Sequence, residues 1–409
     1  MATFIKRGVA AATLCTALVA LAACGGGESS GNKGESSGST IKIGFVGALT
    51  GSLAPSGQVS LAGLKAGAEY VEQHNPGTKI EIMQKDTKGE PTAAVAATRS
   101  LAQEGVSAFY FTTEAFPPVQ DILNQVKVPG DTAGGIGSIL ADVGDSKRYK
   151  YAFSTGAGTS GDTSIVPLLS YAASAGSTVA MLDDSSAYGT SQTKETLAVA
   201  KSQFPNVKIV QESFPSTASD VTAQLSKLRD SGAQSLIVWS YGAPLVAAMS
   251  SLNKIGWNPQ MSGVLGIGDP ATSELIPNGM KSTLAAGPMA KTFLSATQGE
   301  SPTGITADFV KLYLKAKGKD SFNALDTVGA ISFDWVLLVT QASQKVKSTN
   351  ADKIKQQLVS GEALQGANGT YKFGADKRIG LDADQLGVFV PAKPCPNGKC
   401  VEASVGAGR

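Results

Sequence analysis

From residue 40 onward, short apolar runs alternate with segments of helical periodicity, and this alternation restricts the fold more than any other feature of the chain. The first unit, residues 41–58, opens with an apolar and β-branched run. It passes through small turn-forming residues and continues into an Ala- and Leu-rich stretch. Strands separated by single helices pair in parallel through right-handed crossovers. The sequence therefore predicts an α/β fold, and the loop after its first strand lies where such sheets bind ligands.

The alternation of strand and helix starts a second time after residues 149–154. On both sides of this point, runs that predict strands are each followed by apolar residues at helical spacing. Toward the C-terminus, residues 307–317, 324–345 and 351–359 predict three further helices. Two α/β halves of similar organisation predict two Rossmann-like lobes with a central ligand cleft.

The N-terminus has the features of a secretory lipoprotein signal. Two basic residues precede the uncharged, mostly apolar segment 8–20, which is too short for a comfortable transmembrane helix. The next residues, Leu-Ala-Ala-Cys ending at Cys24, resemble the lipobox of bacterial lipoproteins. The resemblance implies removal of residues 1–23 and acylation of Cys24, which would hold the chain on a membrane surface. An ordinary secretion signal is the alternative, and the Gly/Ser-rich residues 24–40 predict a flexible tether.

The composition is that of an ordinary globular chain. Without residues 1–23, the 409-residue chain is still long enough for two domains with their own cores. Its 35 Lys and Arg residues nearly balance 33 Asp and Glu residues, and they form no basic patch of the nucleic-acid type. We therefore expect no nucleic-acid partner.

Two cysteines near the C-terminus predict a small disulfide loop. Outside the cytoplasmic membrane the environment is oxidising, so Cys395 and Cys400 are expected to form a disulfide bond. A metal site is the alternative, but no further cysteine or nearby histidine completes one.

Signals for catalysis are weak. The single histidine, His74, lies in a polar helix end and is expected to be solvated. No nucleophile-elbow, zinc-protease or phosphate-loop motif is present. Asp183 and Asp184 form either a metal pair or a strand-end turn, and the second interpretation is favoured. The sequence predicts a protein that is not an enzyme and needs no cofactor or metal.

Several segments together resemble the periplasmic-binding-protein type 1 family, in the branch of Leu/Ile/Val-binding proteins of ABC importers. The resemblance runs from about Ile41 to Val390 and depends on the order and spacing of its segments. These are the first strand and loop at 41–57, residues 86–104, Tyr188-Gly189 after an acidic strand end, residues 214–228, and Ile255-Gly256.

The resemblance implies two lobes of discontinuous sequence joined by three hinge crossovers. Lobe one would comprise 41–153 plus 288–365, lobe two 154–287 plus 366–395, and the C-terminal tail 396–409. The crossovers would fall near 151–155, 284–288 and 364–369.

Candidate ligand-binding residues lie in the loops at the predicted strand ends. Small loops there expose backbone N–H groups and hydroxyls, which bind carboxylate or carbonyl oxygens. This reasoning selects the candidates in the loop after the first strand, Ser52, Leu53 and Ser56. The other candidates follow from the resemblance, which also implies that the Tyr188 ring closes over the ligand. The candidates are Ser52, Leu53, Ser56, Thr112, Thr113, Glu114, Gly134, Gly135, Tyr188, Leu265 and Asp269.

Two departures from the family pattern leave the ligand open. Amino-acid receptors of the family place a carboxylate for the ligand ammonium where this chain has Leu265, and a threonine where it has Gly134-Gly135. An unpaired buried ammonium is costly. Either Glu114 or Asp269 supplies the charge, or the ligand lacks that ammonium.

The predicted function is capture of a small ligand by hinge closure, followed by delivery to an ABC permease and its ATPase. The ligand would be a branched-chain or other hydrophobic amino acid, an amide or a small carboxylate. We expect a monomer that is anchored to the membrane through Cys24. A ligand-sensing receptor subunit that acts through a separate membrane signalling partner is the alternative.

Overall fold

The computed structural model describes most of the chain after the tether. It covers residues 39–51, 54–132, 145–156, 165–263, 302–320, 324–382, 385–391 and 400–402, with shorter pieces at 267, 272, 275–276, 284–285, 288–293 and 322. Among these residues, no helix has both the length and the apolar character needed to cross a bilayer.

The first half of the chain forms a five-stranded parallel sheet with strand order β2-β1-β3-β4-β5. Strand β1, which lies between β2 and β3, is buried along most of its length because its Ile and Phe side chains are covered on both faces. The elements are β1 (Ser39–Gly47), α1 (Ala54–His74), β2 (Thr78–Asp86), α2 (Pro91–Gln103), β3 (Ala108–Phe111), α3 (Gln120–Val126), β4 (Gly130–Thr132) and β5 (Ala152–Ser154).

A second five-stranded parallel sheet follows, with strand order β10-β9-β8-β6-β7. Its strands β6 and β8 are buried in the centre and pair with each other. The elements are α4 (Ile165–Ala173), β6 (Thr178–Asp184), α5 (Ala187–Gln203), β7 (Lys208–Phe214), α6 (Thr222–Asp230), β8 (Ser235–Trp239), α7 (Ala243–Ile255), β9 (Gln260–Gly263) and β10 (Leu284–Ala285).

The remaining elements include two small antiparallel sheets, β11-β14-β15 and β12-β13. They are β11 (Pro288–Ala290), α8 (Gly304–Lys317), α9 (Val328–Val346), α10 (Ala351–Leu358), β12 (Leu364–Gln365), β13 (Thr370–Tyr371), β14 (Leu386–Pro391) and β15 (Cys400–Glu402). The predicted α/β class with parallel sheets is confirmed. The predicted division of the chain into lobes stays a prediction.

One element boundary differs from the sequence-based prediction. Helix α1 begins at Ala54, so Ser56 lies in its first turn and not in the preceding loop. Helix α3 continues through Val126, and strand β4 begins at Gly130. Lys127 ends that helix in the left-handed conformation at φ 56°.

Helices α8 and α9 pack against α1 and return the chain to the first sheet. The approach of α1 to α9 is close because residue 63 is a glycine. A Cβ atom at Gly63 would lie 2.0 Å from the Gly329 carbonyl oxygen. The core around this sheet extends to Tyr371 and Phe373, which the predicted division assigns to lobe two.

A buried carboxylate joins the end of this core to α9. Asp334 accepts hydrogen bonds from the backbone N–H groups of Ala367 and Asn368, from the Asn368 side-chain amide and from the Tyr371 hydroxyl, at 2.5–2.9 Å. Burial raises the pKa of Asp334 to about 6, although these bonds act to lower it.

The free energy of unfolding is expected to fall as pH rises past Asp334's titration range. The folded protein holds this proton up to a pKa of about 6, whereas the carboxyl has its usual value of 3.8 in the unfolded chain. Folding therefore takes up a proton within this window, and the contribution lost at higher pH is at most about 3 kcal/mol. Thermal or urea unfolding between pH 4 and pH 7 measures the slope.

Asp334→Asn should flatten that slope and lower stability at every pH, because an amide cannot accept all the bonds that the carboxylate accepts. The matched control is Asp320→Asn, an exposed aspartate, which should keep the wild-type slope. Equal slopes for wild type and Asp334→Asn would contradict the assignment.

Candidate functional site

The loops after β1 and β3 meet at the carboxyl-terminal edge of the first sheet. After β3 the chain passes through Thr112 into a 3₁₀ turn, Thr113–Ala115. Oxygen Oε1 of Glu114 accepts a hydrogen bond from the Thr112 hydroxyl at 2.6 Å and one from the Ala48 N–H at 3.3 Å. The structure thus brings the predicted residues Thr112 and Glu114 to the loop that follows β1.

The same loop is fixed from its other side by Asp86 at the end of β2. The Asp86 carboxylate accepts hydrogen bonds from the Leu49 N–H at 2.8 Å, the Thr50 hydroxyl at 2.6 Å and the Lys88 N–H at 2.9 Å. These bonds lower the pKa of Asp86 to about 2, and the bond from the Thr50 hydroxyl has the largest effect. Asp86 is therefore ionised at neutral pH and orders the backbone at residues 49–50.

The second sheet presents another carboxylate at its carboxyl-terminal edge. Asp184, the last residue of β6, accepts hydrogen bonds from the Ser186 N–H at 2.8 Å and the Ser240 hydroxyl at 2.5 Å. Ser186 caps α5 by accepting the Gly189 N–H at 3.1 Å. Residue 189 must be a glycine for this turn, because a Cβ atom there would lie 2.2 Å from the Asp184 carbonyl oxygen. Its neighbour Asp183 instead accepts bonds from β7 side chains.

Tyr188 packs on hydrophobic clusters that belong to both sheets. It lies in the first turn of α5, and its ring is edge-on to Trp239 at 6.4 Å and to Tyr241 at 5.3 Å between centroids. It contacts the second-sheet cluster that includes Trp239 and also the first-sheet cluster that includes Phe116. Burial raises the pKa of the Tyr188 hydroxyl far above its ordinary value. Tyr188 therefore lies at a boundary between the two halves, and its predicted role as a ring that closes over the ligand stays a prediction.

Tyr241 is a candidate site residue that was not predicted from the sequence. It follows β8 and is 42% exposed. Burial raises the pKa of its hydroxyl, and the nearby charges of Glu114 and Asp184 raise it further. Its ring also packs edge to face against that of Tyr188. A signal was available, because residues 240–242 form a polar strand-end loop like those that were selected.

Other predicted residues are placed as follows. Ser56 is exposed on α1, and Thr112 is fully buried. The residues that lie outside the described part of the chain are Ser52, Leu53, Gly134, Gly135, Leu265, Asp269, Cys24 and Cys395. The backbone of Cys400 lies in β15.

His74 is exposed at the far end of α1, as predicted. Its Nδ1 atom is 2.9 Å from the Tyr70 carbonyl oxygen, and its ring stacks on that of Tyr70. A shallow cavity of about 260 Å³ opens beside it, lined mainly by amide and apolar side chains. Because α1 has 21 residues, this cavity is roughly 30 Å from the edge that carries Glu114.

The family follows from a sequence profile of periplasmic binding proteins, which matches residues 40–383. The chain belongs to this family, and more narrowly to its type 1 branch. Periplasmic binding proteins act outside the cytoplasm and bind solutes, and no enzyme appears among the members compared below.

One curated relative of this periplasmic binding protein is the Leu/Ile/Val-binding protein homolog 7 of Brucella abortus strain 2308. It is 24% identical over 330 residues, which cover 78% of this chain and 80% of the relative.

Three solved structures show the same fold at low sequence identity. A periplasmic binding protein type 1 from Bordetella pertussis Tohama I has a TM-score of 0.76 at 20% identity, covering 89% of this chain and 100% of that one. LivJ of Streptococcus pneumoniae, in complex with isoleucine, has 0.70 at 20%, covering 89% and 100%. A solute-binding protein of Rhodopseudomonas palustris BisB5, in complex with 3,4-dihydroxybenzoic acid, has 0.69 at 19%, covering 89% and 96%.

Removing the Asp86 carboxylate should loosen the loop after β1. In Asp86→Ala, amide hydrogen exchange at Leu49 and Lys88 should be about tenfold faster, because hydrogen bonds to a charged acceptor are lost. The matched control is Asp220→Ala, which removes an exposed carboxylate that binds the Thr222 N–H and Lys254. The control should leave exchange at Leu49 unchanged. Unchanged exchange in Asp86→Ala as well would show that Asp86 does not order this loop.

Proposed function

We propose that this periplasmic binding protein is the solute-binding component of an ABC importer. It would capture a small ligand between the carboxyl-terminal edges of its two parallel sheets and deliver it to a permease with an ATPase. The observation that carries this proposal is the packing of Tyr188 against clusters of both sheets and edge to face against Tyr241. Ligands of open α/β sheets bind at this edge.

Ligand capture would proceed by closure of two lobes about the chain crossovers near 151–155, 284–288 and 364–369. The bound ligand would favour the closed arrangement by contacting both sheets, and the closed face would dock on the permease. Lobe one would comprise 41–153 plus 288–365, and lobe two 154–287 plus 366–395. Tyr371 and Phe373 pack in the core around the first sheet, which favours a boundary between segments 288–365 and 366–395 that lies after Phe373.

The ligand would be small, with an apolar part that packs on tyrosine rings. The structural neighbours in complex with isoleucine and with 3,4-dihydroxybenzoic acid support a ligand of this size. In this proposal the chain acts as a monomer, held at the outer face of the cell membrane by a lipid on Cys24. A disulfide bond between Cys395 and Cys400 belongs to the same extracytoplasmic setting.

The proposal is tested by a thermal-shift screen of the mature chain, residues 24–409, against amino acids, amides, aromatic acids, amines and sugars. A ligand that binds only the folded state stabilises it by mass action and so raises the melting temperature. At a hundredfold excess of ligand over Kd, the free energy of unfolding rises by about 2.7 kcal/mol. No shift with any compound class would count against the proposed function.

Tyr188→Ala should weaken binding of any hit at least about tenfold, because the ring that contacts both clusters is lost. Tyr70→Ala is the matched control, since Tyr70 is also partly buried but stacks on His74 at the far end of α1. The control should melt earlier, because a partly buried ring is lost, but it should retain the ligand-induced shift. Equal affinity of wild type and Tyr188→Ala would place the ligand elsewhere.

A further inference from the structure

The side chain of Glu114 occupies the hydrogen-bond donors that a strand-end loop offers to an anion. The Ala48 N–H and the Thr112 hydroxyl both donate to Oε1 of Glu114, at 3.3 and 2.6 Å. Such N–H and hydroxyl groups ordinarily hold the carboxylate or carbonyl oxygen of a ligand. Here they hold an oxygen of the protein itself.

The second carboxylate oxygen of Glu114, Oε2, differs from Oε1 in its hydrogen bonding. Among the described residues, no group donates a hydrogen bond to Oε2 of Glu114. The side chain is only half-buried, so this oxygen is an available acceptor on an otherwise fixed carboxylate. A group that binds there must be a hydrogen-bond donor.

The charges around Glu114 also favour a hydrogen-bond donor over an anion. Glu114 and Asp184 both act on the Tyr241 hydroxyl and raise its pKa. Within the described ranges, no lysine or arginine nitrogen lies within 4.0 Å of either carboxylate. A ligand carboxylate would be a third negative charge beside two that have no cation partner in the described part of the chain.

The aromatic side of the site favours the same class of ligand. The Tyr188 and Tyr241 rings meet edge to face at 5.3 Å between centroids. Tyr188 follows the turn in which Asp184 binds the Ser186 N–H, and it packs on the cluster that contains Ala115, the neighbour of Glu114 in sequence. Tyrosine faces attract cations and also pack against apolar groups. Carboxylates beside tyrosine rings therefore suit a ligand with an apolar body and an N–H group.

We infer that Glu114 sets the specificity of this site: it selects a ligand that presents an N–H donor, an ammonium or a primary amide, and it rejects a carboxylate at that position. The inference rests on the proposed function. Isoleucine and 3,4-dihydroxybenzoic acid both carry a carboxylate, so this chain would treat that group differently from the two ligand-bound neighbours.

The test compares matched compounds that differ in one group. Benzoate, benzamide and benzylamine share a phenyl body, and isovalerate, isovaleramide and isoamylamine share a branched aliphatic body. Binding of each is measured by calorimetry to the mature chain and to Glu114→Gln. The variant keeps an oxygen that can accept from Ala48 and Thr112, but it loses the negative charge.

In the wild type, the amide or the amine should bind at least about thirtyfold more tightly than the acid of the same body. Glu114→Gln should reduce that ratio at least about tenfold. The matched control is Glu72→Gln, whose carboxylate also accepts a backbone N–H, from Ile80 at 3.4 Å, but lies near the other end of α1. Its ratio should equal that of the wild type.

Four outcomes contradict one of the two claims. Equal or tighter binding of an acid to the wild type overturns the inference and leaves the proposed function intact. An unchanged ratio in Glu114→Gln also overturns the inference. Binding of none of the six compounds, together with no hit in the thermal-shift panel, overturns the proposed function. A panel hit with a carboxylate as its sole polar group overturns the inference, and a hit with an amide or amine supports it.

Discussion

Strand β1 is hydrogen-bonded in parallel to β2 on one side and to β3 on the other, and the geometry of the site depends on this pairing. In its register, Gly47 is opposite Asp86 and Val46 is opposite Phe111, so the three strands end at the same level. The side chains that follow them are therefore brought to one edge. Close contact there requires a glycine at 47, because a Cβ atom would lie 2.5 Å from the Thr112 side chain.

Buried carboxylates provide a second constraint, near the places where the chain is expected to cross between lobes. Asp131, at β4, accepts hydrogen bonds from the Thr155 N–H and hydroxyl at 2.8 and 2.6 Å. Burial raises its pKa well above the usual range. The Tyr371 hydroxyl lies 3.0 Å from the Thr155 carbonyl oxygen and 2.7 Å from Asp334. These bonds connect residues 155 and 366–371 to the core, and such fully bonded polar groups specify a single arrangement.

The sequence predicted the repeated strand–helix units because their signals are local. Apolar runs and helical spacing lie within each segment, and parallel pairing follows from their alternation. The start of α1 was misplaced because Pro55 and Gly57 resemble a loop. Proline is favoured in a first helical turn, and a Cβ at Gly57 would lie 1.8 Å from the Ala48 carbonyl oxygen.

The electrostatic arrangement of the site was less predictable because it arises from contacts distant in sequence. Glu114 binds the N–H of Ala48 from 66 residues away, and Tyr241 meets Tyr188 only in the folded chain. That residue 114 is a glutamate does not by itself reveal that its carboxylate occupies hydrogen-bond donors suited to a ligand. Tyr188 was selected because it follows an acidic strand end in one of the segments whose order and spacing resemble the family, and its role at the site stays a prediction.

A crystal structure of the mature chain with a bound ligand from the thermal-shift screen tests the central claim most directly. We expect the ligand to contact the Tyr188 ring, and to place an N–H donor within about 3 Å of Oε2 of Glu114. Density for the ligand at another surface, or a ligand carboxylate in direct contact with Glu114, would contradict the account.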